Sequence, residues 1–176
     1  QFVFWMLFFA GARLIFLLYY VNLMTVEQVT LQEGLMVFVS ALKLDLATAS
    51  YLMIIPFILL LIRILWSSAV PGIINRVYSV LMIAVYSLTT VGEMGIYAEW
   101  KTKLTYKVLK YFLTPGEIFN SAETATFFLL LVIFLALAAS ASFVYLKFIY
   151  REPPGRMSHA GFAVAFGLVT PVVLVI

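Results

Sequence analysis

Apolar residues run along this chain in long blocks, covering residues 2–23, 44–66, 77–98, 124–148 and 160–176. Four of the five match the twenty or so residues that an α-helix needs to cross a bilayer; the last is slightly shorter. No segment keeps up a two-residue alternation, so the pattern does not predict a β-barrel. The residues before the second block are apolar too, apart from Lys43 and Asp45. One helix from residue 35 to 66 would be about 48 Å long, against a hydrocarbon core of about 30 Å. The pattern therefore predicts a break near residue 44. A surface-lying or tilted part would cover 33–44 and a spanning part 44–66, kinked at Pro56. Pro71 and Gly72 predict a turn over residues 67–76.

Residues 99–123 are the longest polar segment. Within them K-T-K-L-T-Y-K-V-L-K-Y-F-L (101–113) has helical periodicity. Lys103, Lys107 and Lys110 share one face, with Leu104, Val108, Tyr111 and Phe112 to one side. This predicts an amphipathic helix lying in the membrane interface, its lysines toward lipid phosphates. The expected fold is all-α: a polytopic membrane protein of about five transmembrane helices plus this interfacial helix on the extracytoplasmic side.

Composition narrows the class. Of 176 residues, 65% are hydrophobic and 11% charged, too few charges to coat a soluble domain. A soluble enzyme and a disordered chain are both excluded. Five spans leave no room for a catalytic domain outside the bilayer. The chain opens at Gln1 inside one apolar run and stops at Ile176 inside another, so it reads as a piece of a longer protein. There is no cysteine, hence no disulfide framework or thiolate metal site. The net charge of +3 is dispersed, which gives no nucleic-acid surface. The first block is too long for a cleavable signal and carries Arg13 at its middle.

With the N-terminus inside, the inner loops hold Arg63, Arg76, Lys147, Arg151 and Arg156, and the outer segment holds Lys101, Lys103, Lys107 and Lys110. The positive-inside rule, with a first outer loop free of Lys and Arg, favours a cytoplasmic N-terminus.

Charges within apolar runs are expensive and usually pair or face water. Arg13, Lys43, Asp45 and Glu93 are the candidates for an intramembrane polar cleft, with Arg13–Asp45 as the expected pair and Lys43–Glu93 as a further one. The plain alternative is a structural ion pair that ties helices together. Tyr97 and Trp100 end the third block and suit an aromatic belt or a headgroup contact. His159 has no ligand or triad partner nearby, so no metal or catalytic site is assigned within the chain.

Two stretches resemble a known family. Residues 34–57 contain L-K-L-D-L, then Tyr51 and Pro56–Phe57. Residues 92–121 contain Glu93, Tyr97, Trp100, Lys103–Leu104, Tyr111, Pro115 and Glu117. Together they are similar to the N-terminal transmembrane domain of lipoteichoic acid synthase-like proteins of the sulfatase/alkaline phosphatase superfamily. The resemblance implies a bacterial inner membrane location and five spans followed by an extracytoplasmic catalytic domain. That domain would use a divalent metal ion and a Thr or Ser nucleophile. The implied activity is phosphoglycerol or phosphoethanolamine transfer from a phospholipid, or hydrolysis of a sulfate or phosphate ester. This chain would anchor that domain and present the phospholipid, its headgroup near Lys103, Lys107, Lys110, Trp100 and Tyr97. Its expected partners are the phospholipid and its own C-terminal domain. The competing readings are a transporter or channel module using the intramembrane charges, and a non-catalytic anchor.

Overall fold

Backbone N–H and C=O groups find no partner in hydrocarbon, so apolar runs of this length satisfy them internally as helices. A computed structural model of the chain, which describes residues 1–65, 69–100, 124–150 and 167, is helical almost throughout, with no strand among those residues. Helix α1 covers Phe2–Tyr19, and the short α2 covers Val21–Val26. Helix α3 is Leu31–Leu65, α4 is Val70–Trp100 and α5 is Thr124–Val144. A π-helical turn, Tyr145–Ile149, extends α5. Four of these helices are long and apolar enough to cross a membrane. The chain is an all-α membrane protein.

The second apolar block departs from expectation. Residues 31–65 form one continuous helix rather than a surface part and a span. The reason lies in three places. Thr30 and Glu33 form a reciprocal capping box that starts the helix: the Thr30 N–H donates to Glu33 Oε2 at 2.8 Å, and the Glu33 N–H donates to Thr30 Oγ1 at 3.3 Å. Asp45 needs no break in the helix to reach water, because Arg13 of α1 meets it. Pro56 is absorbed within the helix. It cannot donate to the carbonyl of Leu52, and the Tyr78 hydroxyl of α4 donates to that oxygen instead, at 3.4 Å.

The third block also begins earlier than expected, at Val70 rather than near residue 77. Pro71 falls in the first turn, where its missing N–H costs nothing. The expected interfacial helix (99–123) lies outside the described residues except for the last backbone turn of α4. The expected fifth span (160–176) lies outside them except for Gly167.

Successive long helices run antiparallel. Helix α1 packs on α3 and α4, α3 packs on α4, and α5 lies along α4. Gly95 lets α5 approach closely, since a Cβ there would stand 3.2 Å from a Leu130 methyl. The core is aromatic and lies toward the N-terminal end of α1. Phe4, Trp5 and Phe8 are buried with Ala49, Leu52, Ile83, Leu137 and Tyr145. Gln1 donates to the Tyr145 hydroxyl at 2.8 Å, fastening α1 to the end of α5. Outward-facing Val3, Leu7, Leu14, Leu18, Phe128, Val132 and Leu135 are exposed, as expected of side chains whose solvent is lipid.

Helix length positions the site. At 1.5 Å per residue α1 is about 27 Å long, α3 about 52 Å and α4 about 46 Å. Helices α3 and α4 therefore run past the C-terminal end of α1. The short α2 and the turn after it, where Gln28 takes a left-handed φ of 54°, fold into the space between them.

Candidate functional site

The space bounded by these elements is a cavity of about 560 Å³. Three stripes build it. On α1 and its C-cap residue, Phe9, Arg13, Phe16 and Tyr20 recur at helical spacing, so one face presents them all. On α4, Tyr86, Thr90, Glu93 and Tyr97 do the same. Helix α3 contributes Glu33, Val37, Leu44, Asp45 and Thr48, and α2 with its turn adds Leu23, Met24, Glu27 and Val29. Glu27, Val29 and Glu33 are exposed, so this end of the cavity meets the surroundings.

Arg13 and Asp45 form its polar centre. The guanidinium grips the carboxylate with both arms, Nη1 to Oδ2 at 2.8 Å and Nη2 to Oδ1 at 3.0 Å. The side chains are only 20% and 11% exposed, so each charge depends on the other. Arg13 also stands 5.8 Å from the centre of the Phe38 ring. A guanidinium has five N–H donors and Asp45 takes two. The remaining N–H groups have no acceptor among the described residues.

Aromatic rings close the outer part. Phe16, Tyr20 and Tyr97 make a cluster with centroid separations of 5.1–5.4 Å. The Tyr20 hydroxyl donates to the carbonyl of Met94, linking the end of α1 to α4 beside Glu93.

Of the residues expected at a site, the structure brings Arg13, Asp45, Glu93 and Tyr97 into one cavity. Lys43 is not among the lining residues and is exposed. It lies two positions from Asp45, hence on nearly the opposite face of α3. Trp100 is the last residue of α4, and its side chain lies outside the described residues, as do Lys103, Lys107 and Lys110. Sequence reasoning missed Glu27, Glu33, Phe16, Tyr20 and Tyr86. Two signals pointed to some of them: the T-x-x-E capping box at Thr30–Glu33, and the i, i+4, i+7, i+11 stripe from Tyr86 to Tyr97.

Among the described residues no group of three His, Cys, Asp or Glu side chains is placed to hold a metal ion. No known family, curated protein or solved structure matches the chain.

Proposed function

We propose that this chain is the membrane domain of a lipid-handling enzyme. It seats the polar head of a phospholipid in the cavity between α1, α3 and α4 and presents it to a catalytic domain outside the bilayer. The observation that carries the reading is the cavity itself. It has the volume of a small-molecule site and mostly apolar walls, with the Arg13–Asp45 pair, Glu27, Glu33 and Glu93 as the charged groups of its lining. An amphiphile with one polar end is the ligand chemistry that suits such walls.

Depth supports the same reading. Arg63 and Arg76 lie toward the opposite end of the bundle. Counting along the helices, Asp45 is about 27 Å from Arg63, and Glu93 is about 26 Å from Arg76. These spans approach the thickness of a hydrocarbon core. With Arg63, Arg76 and Lys147 at the cytoplasmic interface, the N-terminus is cytoplasmic and the cavity lies at the headgroup level of the other leaflet. The likeness of residues 34–57 and 92–121 to lipoteichoic acid synthase-like proteins supports a bacterial inner membrane setting. It also supports phosphoglycerol or phosphoethanolamine transfer as the chemistry of the adjoining domain, with that domain's divalent metal ion.

An ion path through the chain is the weaker reading. Phe4, Trp5, Phe8, Leu52 and Ile83 fill the interior at the end of the bundle opposite the cavity, so the polar lining stops partway.

The test is lipid retention. The chain is purified in mild detergent and its bound phospholipid counted by native mass spectrometry, beside a Thr90→Trp variant that fills the cavity. Wild-type chain should retain a phospholipid that the variant loses while keeping its thermal midpoint. Equal retention by both rejects the cavity as the lipid site.

A further inference from the structure

We infer that the cavity opens sideways into the bilayer through the seam between α3 and α4, and that this seam is a binding groove for an acyl chain. The inference rests on the headgroup reading above and places the part of the lipid that the cavity does not hold.

Three seams among the described helices border the cavity, and two are closed by direct contacts. Between α1 and α3 stand the Arg13–Asp45 pair and the Phe38 ring beside the guanidinium. Between α1 and α4, Phe9 meets Tyr86 at 5.3 Å and Phe16 meets Tyr97 at 5.4 Å, and the Tyr20 hydroxyl bonds to the Met94 carbonyl. The third seam differs. Leu44 of α3 lines the cavity and is nonetheless 69% exposed. Thr89 of α4 lines it and is exposed as well. A side chain does both only at a mouth, so the rims of this mouth belong to α3 and α4.

The mouth leads into a groove. On α3, Leu44, Thr48, Tyr51 and Ile55 fall at i, i+4, i+7 and i+11. On α4, Tyr78, Leu81, Val85 and Thr89 fall at i, i+3, i+7 and i+11. Each set therefore shares one face of its helix. The α4 face borders α3 at both ends. Thr89 shares the cavity with Leu44 and Thr48, and the Tyr78 hydroxyl donates to the Leu52 carbonyl at 3.4 Å. Between those ends Tyr51, Ile55, Leu81 and Val85 are exposed, while Leu52 is buried behind them.

The groove is apolar even at its threonines. Thr48 donates its hydroxyl to the Leu44 carbonyl at 2.8 Å, and Thr89 donates to the Val85 carbonyl at 3.0 Å. Bonded within their own helices, both offer a neighbour their methyl groups. From Leu44 to Ile55 the groove runs about 16 Å. That is close to half of a hydrocarbon core of about 30 Å. One acyl chain, descending from a headgroup at the cavity toward the bilayer centre, covers this length. Its gain over bulk lipid is packing against two helices at once, since its surroundings are equally apolar in either place.

The experiment is photolabelling of the full chain in phosphatidylcholine vesicles. The probe is a phosphatidylglycerol with a diazirine at the middle of one acyl chain, and adducts are located by mass spectrometry of peptides. Adducts on residues 44–55 and 81–89 should be at least about threefold denser than on the outer face of α1, residues 7–18. Thr90→Trp, which fills the cavity, should bring the seam down to the density of that outer face. Val85→Trp, which stands in the groove and outside the cavity lining, should do the same; Leu81→Trp replaces it if it does not fold. Equal density on the two faces of wild-type chain overturns the groove, and phospholipid retained in detergent leaves the headgroup reading standing in that case. Dense seam labelling that Thr90→Trp leaves unchanged also overturns it, because the chain in the seam then belongs to a lipid whose head lies elsewhere. Undiminished seam labelling in a folded Val85→Trp or Leu81→Trp protein overturns it too. If the chain retains no phospholipid, the headgroup reading falls and the groove falls with it.

Discussion

At the scale of single residues, the Arg13–Asp45 pair ties α1 to α3. Removing one partner from a largely buried pair strands the other charge, which is far costlier than removing both. Arg13→Leu should therefore destabilise the chain by about 3 kcal/mol or more. Arg13→Leu combined with Asp45→Leu should recover most of that loss. Thermal unfolding in detergent, followed by circular dichroism, compares the two. Equal destabilisation by the single and double variants would mean that the pair is not coupled. The partnership of Arg13 with Asp45 was legible in the chain, because a lone charge in an apolar run demands an opposite one. The remaining lining was less so. Glu27 and Glu33 read as parts of a polar loop, since nothing local shows that the loop folds back beneath longer helices.

At the scale of elements, the chain's periodicity and its actual helices differ most in α3 and α4. Apolar length suggested that α3 must break to fit a bilayer. It does not, because a helix longer than the hydrocarbon core tilts or projects at modest cost. Pro56 is accommodated from outside its own helix, by the Tyr78 hydroxyl on the Leu52 carbonyl. Tyr78→Phe should then leave that carbonyl without its donor and lower stability by about 1 kcal/mol. The same substitution combined with Pro56→Ala should cost less, since an alanine N–H restores the helical bond. Unfolding midpoints of the four proteins in the cycle test this coupling. Such a rescue across helices cannot be read from either segment alone, because it depends on which residue of α4 faces Pro56.

At the scale of the whole molecule, charge is arranged by end. Arg63, Arg76 and Lys147 lie toward the end that holds Gln1, and Glu27, Glu33 and Glu93 lie toward the other, on the same side as Lys43 and the Arg13–Asp45 pair. The absence of native cysteine makes the orientation directly measurable. Single variants Gln32→Cys and Ala69→Cys place a thiol at each end, both at exposed positions. In intact bacteria an impermeant maleimide should label Gln32→Cys and reach Ala69→Cys only after permeabilisation. The reverse pattern would invert the topology and move the cavity to the cytoplasmic leaflet.

By itself the sequence determined that the chain is helical and membrane-embedded, because 65% hydrophobic residues in long unbroken blocks leave backbone polar groups no partner but each other. It determined as well that the buried charges must be compensated. Only the tertiary structure decided which groups share a site. Helices of unequal length leave a gap at one end, and that gap brings together Arg13, Asp45, Glu33, Glu93 and a set of tyrosines, from α1 with its cap, α3 and α4. Their convergence follows from packing angles and overhang, quantities that no local pattern of polar and apolar residues records.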